Sequence, residues 1–348
     1  MFLFPNFFRR SRFAFYLFCA AQFSVPHIAR CDDWAVLLAS GEAAMEKRHA
    51  MNLFHCTSDF GVSSVFVGPI ISMEEKMAGN ANPFDLRSTL YGIKVGLIKS
   101  FACDDRHSRQ FYLAGGAIGG RTKALCGKYE TLNGERIDYR RKELAVAAAL
   151  RQSSLKDDGL SYVTEASVLI GSGSVKCVEN KQLTGEATPY KISDIDLQLS
   201  ISETHGFYRR GAIELGCLAG LCLDSIGQNG FTRWFSDGDK LSLKSLRHTI
   251  LTTMLGLSVE DVRPGSLHLF GKIGWQYAAM RKHSDLSAVV DEKAMSSDVI
   301  YGGRHCAVIS VGINHQLNEN FAYTLAIEDS YGHGRASSSA RLMLCRAF

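Results

Sequence analysis

Proline is scarce in this chain, with six residues in 348 against 32 glycines. Proline removes a ladder donor, whereas glycine tolerates bulges, tight turns and close contacts, so the imbalance points toward sheet. Beyond the N-terminus no stretch reaches the roughly 20 apolar residues of a spanning helix, which argues against a helical membrane protein. No CxxC pair and no Cys/His cluster at zinc spacing occurs, so no metal is expected. The net charge of +4 is spread along the sequence without a basic patch interleaved with aromatics, which argues against nucleic acid as a partner. The histidines are scattered, and none stands in a local motif with a serine or with paired carboxylates. No catalytic residue, cofactor or enzymatic activity is therefore expected. The run Gly115-Gly116-Ala117-Ile118-Gly119-Gly120 lies between strand-like residues and opens no helix, unlike a phosphate loop.

The N-terminus has the order of a secretory signal. Arg9, Arg10 and Arg12 form a basic region, residues 13–18 an apolar core, and Cys19-Ala20-Ala21 a small-residue cleavage site. A buried or interfacial helix is the alternative reading. Residues 22–60 do not alternate, and within them residues 32–51 carry apolar side chains at helical spacing, as a short leader or helix would. Ten cysteines are present, one of them, Cys19, in the signal; those in strand-like segments, such as Cys217 and Cys345, read as small apolar fillers, with disulfides the alternative in an exported protein.

From about Gly61 the period changes to two. In 195–202, Ile195, Leu197, Leu199 and Ile201 alternate with Asp196, Gln198, Ser200 and Ser202. The pattern recurs as the rows Ile213 to Leu223, Thr249 to Val259, Leu267 to Tyr277, Ala307 to Ile313 and Phe321 to Ile327. Each row matches the roughly 9–11 residues of a tilted strand crossing a bilayer. Strands are expected at 61–73, 87–102, 110–121, 139–152, 160–177, 190–203, 210–223, 245–259, 266–279, 305–317, 320–330 and 338–348. About twelve antiparallel strands make an all-β fold, a transmembrane barrel over 61–348 with a short N-terminal helix or linker. A soluble β-sandwich would instead bury the apolar rows against each other. Short turns are expected at 203–208, 260–265 and 317–320, and long polar loops at 126–138, 178–189, 224–240 and 280–301. Long loops belong outside the cell and short turns in the periplasm.

The order of several motifs resembles the C-terminal translocator barrel of autotransporters (type V secretion). Gly211-Ala212-Ile213-Glu214-Leu215-Gly216 is similar to that family's strand start, and Arg233-Trp234-Phe235 to its Arg-x-x-x-Phe-like loop. A threonine-rich strand ends in Gly256-Leu257. Gly271-Lys272-Ile273-Gly274-Trp275 and the turn from Gly312 through Leu317 to Asn320 follow in order. The likeness is strong from Gly211 to Phe348 and loose over 87–210. The cysteines, together with the single Gly115-Gly116-Ala117-Ile118, are similar to features of chlamydial polymorphic outer-membrane proteins.

The resemblance implies an outer-membrane protein that exports or displays its N-terminal segment, with a passenger that is short or missing. Its partners would be outer-membrane lipid, the barrel-assembly machinery and its own N-terminal segment in the lumen. Leu342, Leu344 and Phe348 would form the assembly signal, with Arg346 a departure from its apolar face. Candidate lumen charges are Lys94, Glu165, Asp196, Glu214, Lys272, Glu328 and Arg341. Candidate interface aromatics are Trp275, Tyr277, Phe321 and Tyr323. A passenger-less pore or an enzymatic barrel is the rival reading.

Overall fold

The computed structural model describes residues 63–76, 84–104, 106–126, 136–156, 159–178, 191–234, 240–262, 266–283, 286–290, 293–297, 304–332 and 335–348. The signal segment 1–21 and the leader 22–60, with its expected helix, lie outside the described residues. So do 263–265 and most of the expected loops 126–138 and 178–189.

Twelve antiparallel strands close into a barrel. They are β1 (Ser64–Lys76), β2 (Phe84–Asp104), β3 (His107–Cys126), β4 (Arg136–Leu155), β5 (Ser161–Val178), β6 (Lys191–Arg210), β7 (Ile213–Gln228), β10 (Leu246–Asp261), β11 (Leu267–His283), β14 (His305–Gln316), β15 (Phe321–Gly332) and β16 (Arg335–Ala347). Consecutive barrel strands pair, and β1 closes on β16 from Ser64↔Ala347 to Lys76↔Arg335. That seam skips Gly68 and Pro69, where a proline has no donor to offer and a side chain at Gly68 would run into the Leu342 carbonyl. The four remaining strands, β8 (Phe231–Trp234), β9 (Lys240–Leu243), β12 (Leu286–Val290) and β13 (Lys293–Ser297), form a small separate sheet.

The alternation has a simple cause. On β6, Ile195, Leu197, Leu199 and Ile201 point outward and are exposed, while Asp194, Asp196 and Gln198 point inward and are buried. The same division runs around the wall, from Val65 and Val67 on β1 to Leu325 and Ile327 on β15. A sandwich is ruled out: the apolar rows do not meet each other but form an exposed belt on the outside of a closed cylinder.

Connections are short at one end of the barrel, such as 105–106, 211–212 and 317–320. At the other end they are longer, apart from the tight β15–β16 connection at 333–334. Both termini of the described barrel, Ser64 and Ala347, lie at the short-turn end.

Three sequence expectations need correction. The turn placed at 203–208 lies inside β6; the chain turns at Gly211, whose φ of +60° favours glycine. A register shift between Gly206 and Tyr208 breaks the alternation before that turn and disguises the strand's continuation. The long connections at 224–240 and 280–301 are not wholly loop, because they supply β8, β9, β12 and β13. Finally, several strands are longer than expected: β2 covers 84–104 against 87–102, β3 107–126 against 110–121 and β4 136–155 against 139–152.

Candidate functional site: the barrel lumen

The lumen is built from side chains at every second position, and register decides which of them become neighbours. Lys94, Gly116, Ala145, Gly171 and Asp196 are successive partners across β2 to β6. A cation and a carboxylate, each at most 2% exposed, therefore flank three residues with almost no side chain. The row on one side is Gly92, Ile118, Glu143, Gly173 and Asp194; the row on the other is Gly96, Ala114, Ala147, Leu169 and Gln198. The inner face of β3–β5 is thus a floor rich in glycine and alanine, interrupted by Ile118, Glu143 and Leu169 and flanked by Lys94 and Asp196. Glycines inside strands mark places where another backbone approaches closely. The glycine-rich run 115–120 contributes Gly116 and Gly120 to this face, within β3.

Polar side chains at the borders are tied into the wall. Gln198 Nε2 donates to Asp224 at 2.5 Å. The Tyr112 hydroxyl donates to Gln110 at 2.7 Å. Glu214, near the short-turn end, accepts from the Ser161 backbone N–H at 2.9 Å and from the Ser161 hydroxyl.

The opposite wall is larger in side chain and more open. Lys272, Glu328 and Arg341, joined by Glu165 from β5, come together around a cavity of about 220 Å³, with Met254, Phe270 and Gln276. Arg341 reaches Glu328 at 4.0 Å. Lys272, Ser310, Glu328 and Ser339 form one register row, so short hydroxyls separate the charges. The seven candidate lumen charges thus divide: Lys94 and Asp196 border the floor, Glu214 is held near the turns, and the other four edge the cavity.

The four candidate aromatics fall on the outer surface at two heights. Trp275 and Tyr277 lie toward the long connections. There Trp275 Nε1 donates to His305 Nδ1 at 3.1 Å, and Arg304 donates to the Tyr277 hydroxyl at 3.3 Å. Phe321 and Tyr323 lie at the short-turn end of β15, where Tyr323 contacts His315. Leu342, Leu344 and Phe348 share this outer face. Arg346 stands opposite Phe321 in register, its guanidinium 5.8 Å from the ring centroid, and Lys99 stands 5.7 Å from that of Phe348. Arg346 thus interrupts the apolar row with a cation seated on an aromatic face.

Cys217, Cys222, Cys306 and Cys345 form no disulfide among the described residues. Among the described residues no group of three His, Cys, Asp or Glu side chains could hold a metal ion. The small-residue floor was missed in sequence, since its members lie on different strands and only register aligns them.

No protein-family model matches the sequence, and no curated protein matches it. Solved structures do share the fold. The transport unit of the autotransporter AIDA-I from Escherichia coli superposes with a TM-score of 0.58 at 13% identity, over 88% of this chain and 98% of that one. The translocator domain of the autotransporter NalP from Neisseria meningitidis gives 0.57 at 14% identity, over 89% and 97%. The beta domain of the Bordetella autotransporter BrkA gives 0.55 at 13%, over 82% and 100%. At this identity the likeness establishes the barrel fold.

Proposed function

We propose that this chain is an outer-membrane translocator barrel that exports or displays its own N-terminal segment. The observation that carries this reading is the pairing of an apolar belt around the outside with a polar lumen on the inside. A belt of that extent in water would be a large hydrophobic liability, whereas in a bilayer it is the lipid contact. The lumen supports the translocator reading over a plain pore. A floor of Gly116, Ala145 and Gly171 gives room for another backbone, and Lys94 and Asp196 beside it give that backbone polar borders.

In this reading residues 1–21 direct export and residues 22–60 are the segment that enters the lumen. Long connections face outside and short turns face the periplasm. The strand carrying Leu342, Leu344 and Phe348 is what the barrel-assembly machinery recognises. The work is mechanical: the barrel holds a passage open and performs no bond chemistry. The autotransporter domains that share the fold support the same assignment.

Two measurements test it. Folded barrel in the outer-membrane fraction, migrating differently on a gel before and after heating, is expected; a soluble product with no shift would overturn the membrane reading. An epitope placed after residue 22 is expected at the cell surface. An epitope that stays periplasmic in correctly inserted protein would favour the pore.

A further inference from the structure

On the outer surface, toward the long-connection end, register sets two exposed aromatic rings on either side of a methyl group. Trp275 on β11, Ala307 on β14 and Tyr331 on β15 are successive cross-strand partners. Trp275 and Tyr331 are each more than half exposed. Two strand spacings separate their backbones, about 9.6 Å. Carbon surfaces touch at about 3.5–4.0 Å, so the hollow above Ala307 is about one flat ring thick. The next outward row toward the long connections is Tyr277 and His305. The next one toward the short turns is Ile273, Ile309 and Asp329.

Polar groups edge this hollow on both sides. Trp275 Nε1 donates to His305 Nδ1 at 3.1 Å, so in the neutral imidazole Nε2 carries the proton and can donate. The His305 ring lies 5.4 Å from that of Trp275 and 5.0 Å from that of Tyr277, which makes one continuous patch of three rings. Arg304 is tied to that patch by its 3.3 Å bond to the Tyr277 hydroxyl, and its guanidinium has further donors. On the belt side Asp329 accepts from the Ser338 hydroxyl at 2.6 Å, and a carboxylate can accept several bonds. The short-turn rim has no such hollow. There Phe321 faces Arg346, and Tyr323 stands between His315 and Leu344.

A slot between aromatic faces, edged by donors and acceptors, fits a pyranose ring. Its C–H face lies on aromatic carbon, and its hydroxyls both donate and accept. A plain hydrocarbon would leave the polar edge dry and unpaired. A zwitterionic phospholipid would meet the charges in the wrong order: its phosphate is bonded nearest the acyl chains, whereas here the carboxylate of Asp329 lies nearest the belt. Ile273 and Ile309, then Val311 and Ile327, continue from the hollow down the outer wall, so a ligand seated there has apolar surface beside it for its chains. We propose that the Trp275–Ala307–Tyr331 hollow binds a hexopyranose in the head group of a glycolipid, in the leaflet on the long-connection side. The proposal rests on the membrane reading above.

The test uses Trp275 as the reporter, since W34F/W234F leaves it the sole tryptophan of the full chain. That chain is refolded into phosphatidylcholine vesicles, and its fluorescence is quenched with lipids whose acyl chains are brominated and whose head group is either a disaccharide or phosphocholine. The sugar-headed lipid is expected to reach half-quenching at about tenfold lower mole fraction, the factor that two ring contacts supply. Ala307→Leu fills the hollow and Tyr331→Ala removes one wall; each is expected to abolish the preference, and Phe321→Leu, at the short-turn rim, to keep it. If one of the two hollow variants does not fold, the other decides. Equal quenching by the two lipids would overturn the proposal, as would a preference that survives the hollow variants. Protection of Trp275 by free maltose at the same concentration would overturn the assignment to a lipid. A chain that never inserts, seen as no heat-dependent gel shift, would instead count against the membrane reading.

Discussion

The inner face of β2–β6 and the inner face of β11–β16 both keep the lumen polar, by different means. The first sets Lys94, Glu143 and Asp196 among glycines and alanines and covers them almost completely. The second places Lys272, Glu328 and Arg341 around open space, spaced by serines. Burying a charge is costly unless partners and hydrogen bonds surround it. An open cavity leaves charges hydrated and nearly neutral in energy. One flank is thus shaped for close approach of another backbone, the other for water.

The sharpest way to break this comparison is to remove one charge from each flank. Lys94→Met takes away a cation that is 1% exposed and stacked toward the Phe66 ring at 5.9 Å. It is expected to destabilise the barrel by about 3–5 kcal/mol, the penalty of breaking a buried charge arrangement. Lys272→Met on the open flank should cost about 0–1 kcal/mol. Urea unfolding of the inserted barrel, followed by loss of the heat-dependent gel shift, measures both. Equal losses would mean that the two flanks do not differ as described.

Volume offers the next test. Ala145→Phe puts a ring on the floor, and overpacking of this kind costs about 1–3 kcal/mol. Its main effect should be on passage: surface display of an epitope after residue 22 should fall by about tenfold, the factor that 1.4 kcal/mol corresponds to. Val308→Phe adds the same ring beside the open cavity and should leave display within about twofold, because the cavity can take it up. If both block display alike, the floor has no special part in it.

A smaller effect concerns the open flank alone. A double-mutant cycle on Glu328→Gln and Arg341→Gln should return a coupling of about 0.2–1 kcal/mol, since the pair is 4.0 Å apart and both side chains retain solvent contact. A coupling of several kcal/mol would place this pair in the same class as the covered charges opposite.

How much of this was legible in sequence follows from what each feature depends on. All twelve barrel strands could be read because a wall that is apolar outside and polar inside imposes an alternation on each strand independently, as in Ile195 to Ser202. Strand ends were misread where that demand lapses: beyond Glu203 both faces of β6 carry polar residues, and the register shift near Gly206 hides the continuation. The small sheet was missed because segments of four or five residues, such as Phe231-Thr232-Arg233-Trp234, show too few alternations to count. The lumen floor depends on register between strands. Gly116, Ala145 and Gly171 become neighbours only once the hairpins are paired.

Arg346 gives charge a third setting, and the smallest expected effect. It lies on the outward side, in a strand whose outward row is otherwise Ala340, Leu342, Leu344 and Phe348. Neither burial nor a cavity accommodates it. Its guanidinium instead stacks over the Phe321 ring at the short-turn rim. A long side chain can keep its stem on apolar surface while its head reaches the interface, and an exposed cation–ring contact contributes about 0.5–1 kcal/mol. Arg346→Lys should therefore leave stability nearly unchanged, whereas Arg346→Asp should cost more than the contact itself, because it inverts the charge over a ring face that repels anions. Phe321→Leu should remove most of the difference between the arginine and a neutral glutamine at 346. Urea titrations of Arg346→Lys, Arg346→Asp, Arg346→Gln, Phe321→Leu and the Arg346→Gln/Phe321→Leu double variant in one detergent would measure this. Were Arg346→Gln as damaging with Phe321→Leu as without it, the ring would not be what holds the charge there, and its placement would have to be sought in the lipid head groups alone.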